Sequence, residues 1–270
     1  MSEIRFLPAG DTAVVAEFGN EISESINRRV HAFAEALNAA PIPGIRELVP
    51  TYRSLMIHYD PRVIRYQPLL DALSALSAEN DASAGGGISR EVLVIPVLYG
   101  GEAGPDISNV AEKNGLTEEE VIALHSAPDY RIYMLGFTPG FTYLGGMDPR
   151  LETPRLTTPR EKIPAGSVGI AGMQTGVYPI DSPGGWQLIG RTPVRFYDPD
   201  RAEPILPRAG LYIRFRPVSK EDYLLIQKAA EAGTYQVEHI SVAEPVILSE
   251  AKDPSSQELL RMTTEKEARQ

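Results

Sequence analysis

The stretch Gly136–Arg191, GFTPGFTYLGGMDPRLETPRLTTPREKIPAGSVGIAGMQTGVYPIDSPGGWQLIGR, decides how the rest of the chain is read. Eleven of the chain's 23 Gly and seven of its 23 Pro fall in it, a density that by itself would suit a disordered linker. The aromatics argue the other way. Phe137, Phe141, Tyr143, Tyr178 and the only tryptophan, Trp186, are interleaved among the glycines. Large rings need something to pack against, while Gly permits backbone angles and close approaches denied to other residues. The pattern predicts tight, ordered loops lining a concave surface.

Outward from this stretch the periodicities are regular. Before it, REVLVIPVLYGG (Arg90–Gly101) reads as a strand interrupted by Pro96, and Asp106–Asn114 as a helix stopped by Gly115. Thr117 and Glu120 form a capping box for a helix through about Ser126, and Tyr130–Gly136 is a strand. Within and after it, SVGIAG, GVYPI, WQLIG, PVRFY and LYIRFRPV are short β-runs between Gly/Pro turns, the signature of a β-barrel-like domain. A helix opens at Ser219–Asp222 and closes at Gly233, and a strand pair, YQVEHISV and PVIL, carries the domain to about Ser249. The charged, weakly patterned segment 250–270 is expected to be disordered.

The first 78 residues read strand–strand–helix–strand–strand–helix. Ile22, Ile26, Val30, Phe33 and Leu37 recur at helical spacing over Ile22–Ala39, and Leu69, Leu70, Leu73 and Leu76 do so over Pro68–Ala78. Four strands with two helices on one face make an α+β sandwich of domain size. Residues 79–89 hold three consecutive glycines and a single large apolar residue, Ile88, and read as a linker. The expected architecture is an α+β domain at 1–78 and a mainly-β barrel at 90–249.

The formal charge of −10 argues against nucleic acid as a partner, since phosphate backbones need a basic face. Charge is nevertheless local. Arg150, Arg155, Arg160, Lys162, Arg191 and Arg195 form a basic island suited to a carboxylate or phosphate, or else are surface loop residues. The absence of cysteine excludes disulfides, thiol catalysis and cysteine-ligated zinc. No secretory leader or membrane span is legible, which makes a cytoplasmic protein the expectation. There is no P-loop, no G-x-G-x-x-G after a strand and no G-x-S-x-G elbow, and the four histidines show no metal spacing.

Candidate chemistry must therefore be assembled from loops. His125, at a helix C-terminus before the glycine stretch, is a candidate general acid or base, or simply a partner of the helix dipole. Arg160 and Arg191 are placed to clamp an anion bidentately, or to form loop-capping salt bridges. Gln174 and Thr175 sit at a turn beside Gly176 suited to orient a polar ligand, or simply form a plain turn. Phe137, Phe141, Tyr178 and Trp186 offer an aromatic wall, or core packing. Ser182, Gly184 and Gly185 lie in a tight turn whose amides can form an anion nest.

Several long motifs resemble one family. GD-x-A-x-x-x-x-F at Gly10–Phe18, LVPTYRSL at Leu48–Leu55, GFTPGFTYLGG, PR…PR at Pro154–Arg160, IPAGSVGIAGMQTGVYP and SPGGWQLIGRTP are similar to the B subunits of bacterial 5-oxoprolinases, also called allophanate hydrolase subunit 1 or KipI-type kinase inhibitors, of the carboxyltransferase subdomain C/D type. The resemblance, over about residues 4–230, implies a cyclophilin-like barrel and work in a complex with the 5-oxoprolinase C and A subunits. It implies ATP-dependent opening of 5-oxoproline to L-glutamate, with Mg²⁺ accompanying ATP. Related urea carboxylase modules imply a carboxyl-transfer role instead, although no biotin-bearing Met-Lys-Met is present here. KipI-type relatives imply contact inhibition of a histidine kinase. Likeness to cyclophilins raises prolyl isomerisation, but fold alone does not carry an activity.

Overall fold

The computed structural model describes residues 4–83 and 89–243. Its chain order begins β1 (Arg5–Pro8), β2 (Ala13–Glu17), α1 (Glu24–Ala39), β3 (Ile45–Pro50), β4 (Ser54–Tyr59) and α2 (Tyr66–Ser83). These form an antiparallel sheet in the order β1-β2-β4-β3. Strand β4 shows why the sequence folds this way: SLMIHY buries Leu55, Ile57 and Tyr59 and turns the alternate residues outward. Val30, Phe33 and Leu37 of α1 meet that face, and Phe33 packs edge-to-face on Phe18 with ring centroids 5.8 Å apart. Each such buried ring or branched side chain contributes about 1.5–3 kcal/mol. Helix α2 runs to Ser83, five residues into the expected 79–89 linker, because Glu79–Ser83 continue a helix already propagating at little cost. Residues 84–88 of that linker lie outside the described residues.

The order continues with β5 (Ser89–Tyr99), α3 (Ile107–Asn114), α4 (Glu118–Ser126), β6 (Tyr130–Leu135), β7 (Thr142–Gly145), β8 (Arg160–Ile163), β9 (Ser167–Ala171) and β10 (Gln174–Val177). It ends with β11 (Ser182–Gly184), β12 (Gln187–Arg191), β13 (Tyr212–Pro217), α5 (Lys220–Glu231) and β14 (Glu238–Ala243). Eight of these strands make one sheet, β10-β9-β12-β5-β13-β6-β7, with β14 also on β5. Its two ends, β10 and β7, lie side by side, so the sheet is a nearly closed barrel. Leu93, Ile95, Ile132, Val168, Ile170, Ile189, Ile213 and Phe215 fill its interior. The caps are as expected: Thr117 and Glu120 complete both bonds of the capping box, and Gly115 ends α3 at φ 66°.

Three expectations shift. Pro96 does not interrupt β5, which continues past it to Tyr99. Strand β14 pairs with β5 as far as Val94 and β12 begins at Leu98, so Pro96 faces the gap between them, where no ladder donor is required. PVRFY forms no strand; only Tyr197 pairs, in an isolated bridge to Ile205. The glycine-rich stretch, expected as loops, supplies β7 and the two-stranded sheet of β8 and β11. The expected PVIL strand and the tail 250–270 lie outside the described residues.

Helix α1 also seats on the barrel through a buried polar network. The fully buried Asn27 donates to the carbonyls of Thr51 and Tyr133 at 3.0 and 3.2 Å and accepts from Arg131 Nε at 2.8 Å. Arg131 goes on to Tyr212 Oη at 3.1 Å, and Tyr212 donates to Glu24. Every member has a partner, the condition under which buried polarity is tolerated.

Candidate functional site

The glycine-rich stretch closes around a cleft of about 170 Å³. Phe141, Tyr178 and Trp186 form its wall, each ring edge-on to the other two at centroid separations of 5.8–6.3 Å. Trp186 can lie so close because of a cross-strand glycine pair. Gly169 and Gly176 are in register on β9 and β10, and a Cβ on either would stand 3.2–3.4 Å from the Trp186 side chain. Gly184 is equally constrained: its Cβ would lie 2.4 Å from Tyr178 Oη. Burial holds the Tyr178 phenol above its ordinary pKa, so it is a neutral hydroxyl at physiological pH.

Phe137 stands at the rim, 73% exposed, its ring 5.6 Å from that of Phe141. It is the only non-glycine residue with positive φ (64°) among the described residues. Thr138 N–H donates to the Gly136 carbonyl at 2.7 Å across it, which makes a strained γ-turn. Strain of this kind, about 1–3 kcal/mol, persists only where surrounding structure enforces it, and it clusters at functional sites.

Gln174 sits across the cleft at the start of β10. Its amide nitrogen donates to Tyr52 Oη at 3.4 Å, and its carbonyl oxygen has no partner among the described residues. Tyr52, from the β3–β4 turn, packs on Tyr143 and Tyr133, so the N-terminal sheet reaches the edge of the cleft.

Seven sequence candidates thus meet at one place: Phe137, Phe141, Gln174, Tyr178, Gly184, Gly185 and Trp186. Ser182 is on β11 beside the cleft, paired with Ile163, and does not line it. The remaining candidates are elsewhere. Arg160 is occupied by Asp106, at 2.7 Å, and by the Trp186 carbonyl, the loop-securing role. Arg191 donates to the Ala165 carbonyl at 3.1 Å and borders a separate hollow with Tyr223 and Gln227 of α5.

His125 and Thr175 face the barrel interior. The fully buried imidazole stacks on Phe215 at 4.7 Å. Thr175 donates to the Gly169 carbonyl at 3.0 Å, so its oxygen accepts from His125 Nε2 at 2.7 Å, and Nδ1 accepts from Tyr99 Oη at 2.7 Å. Burial pushes the imidazole pKa down to about 3. Both ring nitrogens are committed and water is excluded, so in this structure His125 is a neutral core residue away from the cleft.

Sequence reasoning passed over three cleft residues, Tyr143, Arg155 and Pro183. Tyr143 was visible among the aromatics. Arg155 lay in the basic island, indistinguishable there from Arg160 and Arg191; the structure puts it on the cleft. Among the described residues no group of three or more His, Cys, Asp or Glu could hold a metal ion. No helix among them is long and apolar enough to cross a membrane.

Comparison with known proteins adds a family. Residues 4–207 match the carboxyltransferase domain, subdomain C and D. The 5-oxoprolinase B subunit of Bacillus subtilis (strain 168) is 46% identical over 223 residues, covering 79% of this chain and 92% of that protein. That of Escherichia coli O157:H7 is 41% identical over 218 residues, covering 80% of this chain and 97% of that protein. The solved structure of TTHA0988 is 44% identical with a TM-score of 0.67; it covers 77% of this chain, which spans only 40% of its length. The Kluyveromyces lactis urea amidolyase shares the fold alone, at a TM-score of 0.71 and 20% identity over 98% of this chain and 17% of that one.

Proposed function

This chain belongs to the family of 5-oxoprolinase B subunits, within the carboxyltransferase-domain subdomain C and D proteins, and from that premise we propose that it is the B subunit of an ATP-dependent 5-oxoprolinase. The observation that carries the reading is 46% identity along 92% of a protein of that name. The cleft supports it chemically. A volume of about 170 Å³ is below the ~300–1,000 Å³ of drug-sized sites and suits a small ring. Aromatic walls exclude water from such a ring, and the Gln174 carbonyl oxygen is an acceptor for a lactam N–H.

In this proposal the C and A subunits of 5-oxoprolinase are the partners. A lactam is a poor electrophile, and ATP would activate it by phosphorylating the amide oxygen before water opens the ring to L-glutamate. The cleft lining holds a guanidinium and no carboxylate, so its residues do not fit a resident Mg²⁺–ATP complex. No phosphoryl-transfer step is assigned to side chains of this chain; its part is to bind the ring and shield it. The two-domain division near residues 79–89, the cyclophilin-like character of the barrel and a cytoplasmic location belong to the same proposal.

The test is reconstitution. Purified chain, mixed with the C and A subunits, is followed for ATP-dependent glutamate release, with each component omitted in turn. Turnover that requires this chain is expected. Absence of turnover in a demonstrably assembled complex would refute the reading.

A further inference from the structure

Arg155 is held in an unusual way. Its backbone is pinned on both sides: Gln187 Nε2 donates to the Pro154 carbonyl at 2.9 Å, and Leu156 N–H donates to the Gly185 carbonyl at 2.7 Å. One residue further back, Thr153 is buried, accepts from Asn114 at 3.0 Å and bridges to Gly172. Arg155 Cβ comes 3.8 Å from where a Cβ on Gly185 would stand, which sets the side chain against the cleft. Yet among the described residues the guanidinium makes no hydrogen bond or ion pair, while Arg150, Arg160, Arg195 and Lys162, its neighbours in the same basic island, are each paired with an aspartate. A guanidinium on a fixed backbone, facing an aromatic cleft and left without an anion, is suited to a ligand that brings one.

We propose that this chain alone forms a carboxylate-recognition site in which Arg155 takes the carboxylate of a small ring acid while the Phe141–Tyr178–Trp186 wall holds the ring. The identity of the acid as 5-oxoproline rests on the 5-oxoprolinase reading; the role of Arg155 does not. Tyr178 and Gln174 line the same cleft, and in this proposal their hydroxyl and amide oxygen complete a polar rim around the ring. An α-carboxyl group is fully ionised near neutral pH, so the guanidinium meets a full charge.

The only tryptophan in the chain is a wall of the site, so occupancy reads out as a change in Trp186 emission without partners or turnover. The full chain and its Arg155→Ala and Arg155→Lys variants are titrated with 5-oxoproline, with its neutral carboxamide and with cyclopentanecarboxylate. Arg155 is exposed, so both variants retain the fold, checked by circular dichroism. The expected result is saturable binding of 5-oxoproline, weakened about 10- to 100-fold in Arg155→Ala and less in Arg155→Lys, which keeps the charge but not the fork. The carboxamide should bind weakly, and equally to all three proteins. Equal 5-oxoproline affinity in wild type and Arg155→Ala overturns the role of Arg155 and leaves the 5-oxoprolinase reading standing. Arg155-dependent binding of cyclopentanecarboxylate without binding of 5-oxoproline keeps the site and refutes its substrate. If no acid alters Trp186 emission, the proposal that this chain alone forms the site is overturned.

Discussion

Replacing His125 with Gln tests the assignment of that histidine to the core. The folded imidazole pKa is about 3, against an ordinary 6.5, because burial excludes the charged form. Above pH 6.5 the ring is neutral in folded and unfolded chains alike, and the difference contributes nothing. Below pH 6.5 the unfolded chain takes up a proton that the folded chain refuses, so stability falls as pH falls, until the folded group itself titrates near 3. The slope approaches 1.4 kcal/mol per pH unit, and integration from pH 7.5 to 5 gives a loss of about 2 kcal/mol from this one group. That window lies above the range in which Glu24, Asp60 and Asp148, whose pKa values are also lowered, make their own contributions. The partly buried His31, likewise shifted down by burial, adds loss in the same direction and is present in both proteins. Urea unfolding followed at Trp186, at pH 7.5, 6.5 and 5, measures the effect. The variant's stability should fall by about 2 kcal/mol less than the wild type's over this range. Parallel losses would mean that His125 reaches solvent or a counter-ion and that its removal from the candidate chemistry is mistaken.

Three further outcomes follow from the geometry. Phe137→Gly relieves a positive φ, so its unfolding free energy in urea should match or exceed the wild type's by up to about 1 kcal/mol while 5-oxoproline binding weakens; clear destabilisation would show that the γ-turn is not strained. Gly184→Ala places a methyl 2.4 Å from Tyr178 Oη and 2.9 Å from Ile163 Cδ1, which should displace the phenol, cost about 1–3 kcal/mol in thermal unfolding and abolish the Trp186 response to ligand. Asn27→Ala strands Arg131 Nε and the Thr51 carbonyl, while the Tyr133 carbonyl keeps His31 Nε2 at 3.2 Å, so a loss of about 2 kcal/mol is expected by urea unfolding; a loss below about 1 kcal/mol would mean that water replaces the amide.

Much of the fold is legible because it is locally encoded. SLMIHY alternates as a half-buried strand must, the apolar stripe of α1 lies at helical spacing, and Thr117 with Glu120 announces its helix within four residues. Strand β7 is masked rather than unencoded: its strand-favouring FTYL is hemmed by Gly and Pro, and it pairs with the adjacent β6. Little in REKI or SPGG favours extended backbone, and β8 and β11 exist because each supplies the other's bonds across the intervening β9 and β10. PVRFY shows the converse, a β-rich run to which the barrel offers a single bridge. The aromatic half of the site could be read from the sequence, since rings among glycines demand a packed surface. The cationic half could not. Arg155, Arg160 and Arg191 look alike in sequence, and what separates them is tertiary: Asp106, 54 residues earlier, claims Arg160, and the Ala165 carbonyl claims Arg191. His125 eluded the sequence for the same reason, its surroundings being assembled from β5, β10 and β13.

The glycine pair beneath Trp186 has a consequence for how such chains diverge. Gly169 and Gly176 each lie mid-strand, where glycine costs about 0.5–1 kcal/mol relative to alanine, and the Trp186 side chain packed against them, Cβ on Gly169 and indole on Gly176, offsets that cost. A methyl group on Gly176 would stand 3.4 Å from the indole, whereas one on Gly169 would stand 3.2 Å from Trp186 Cβ and 3.1 Å from the Gln187 carbonyl, so losing the ring relieves Gly176 and leaves Gly169 hemmed by backbone. Gly176 and Trp186 are therefore a single heritable unit, joining β10 to the residue preceding β12. A lineage that abandons the tryptophan should become free to fill Gly176, while Gly169 stays empty.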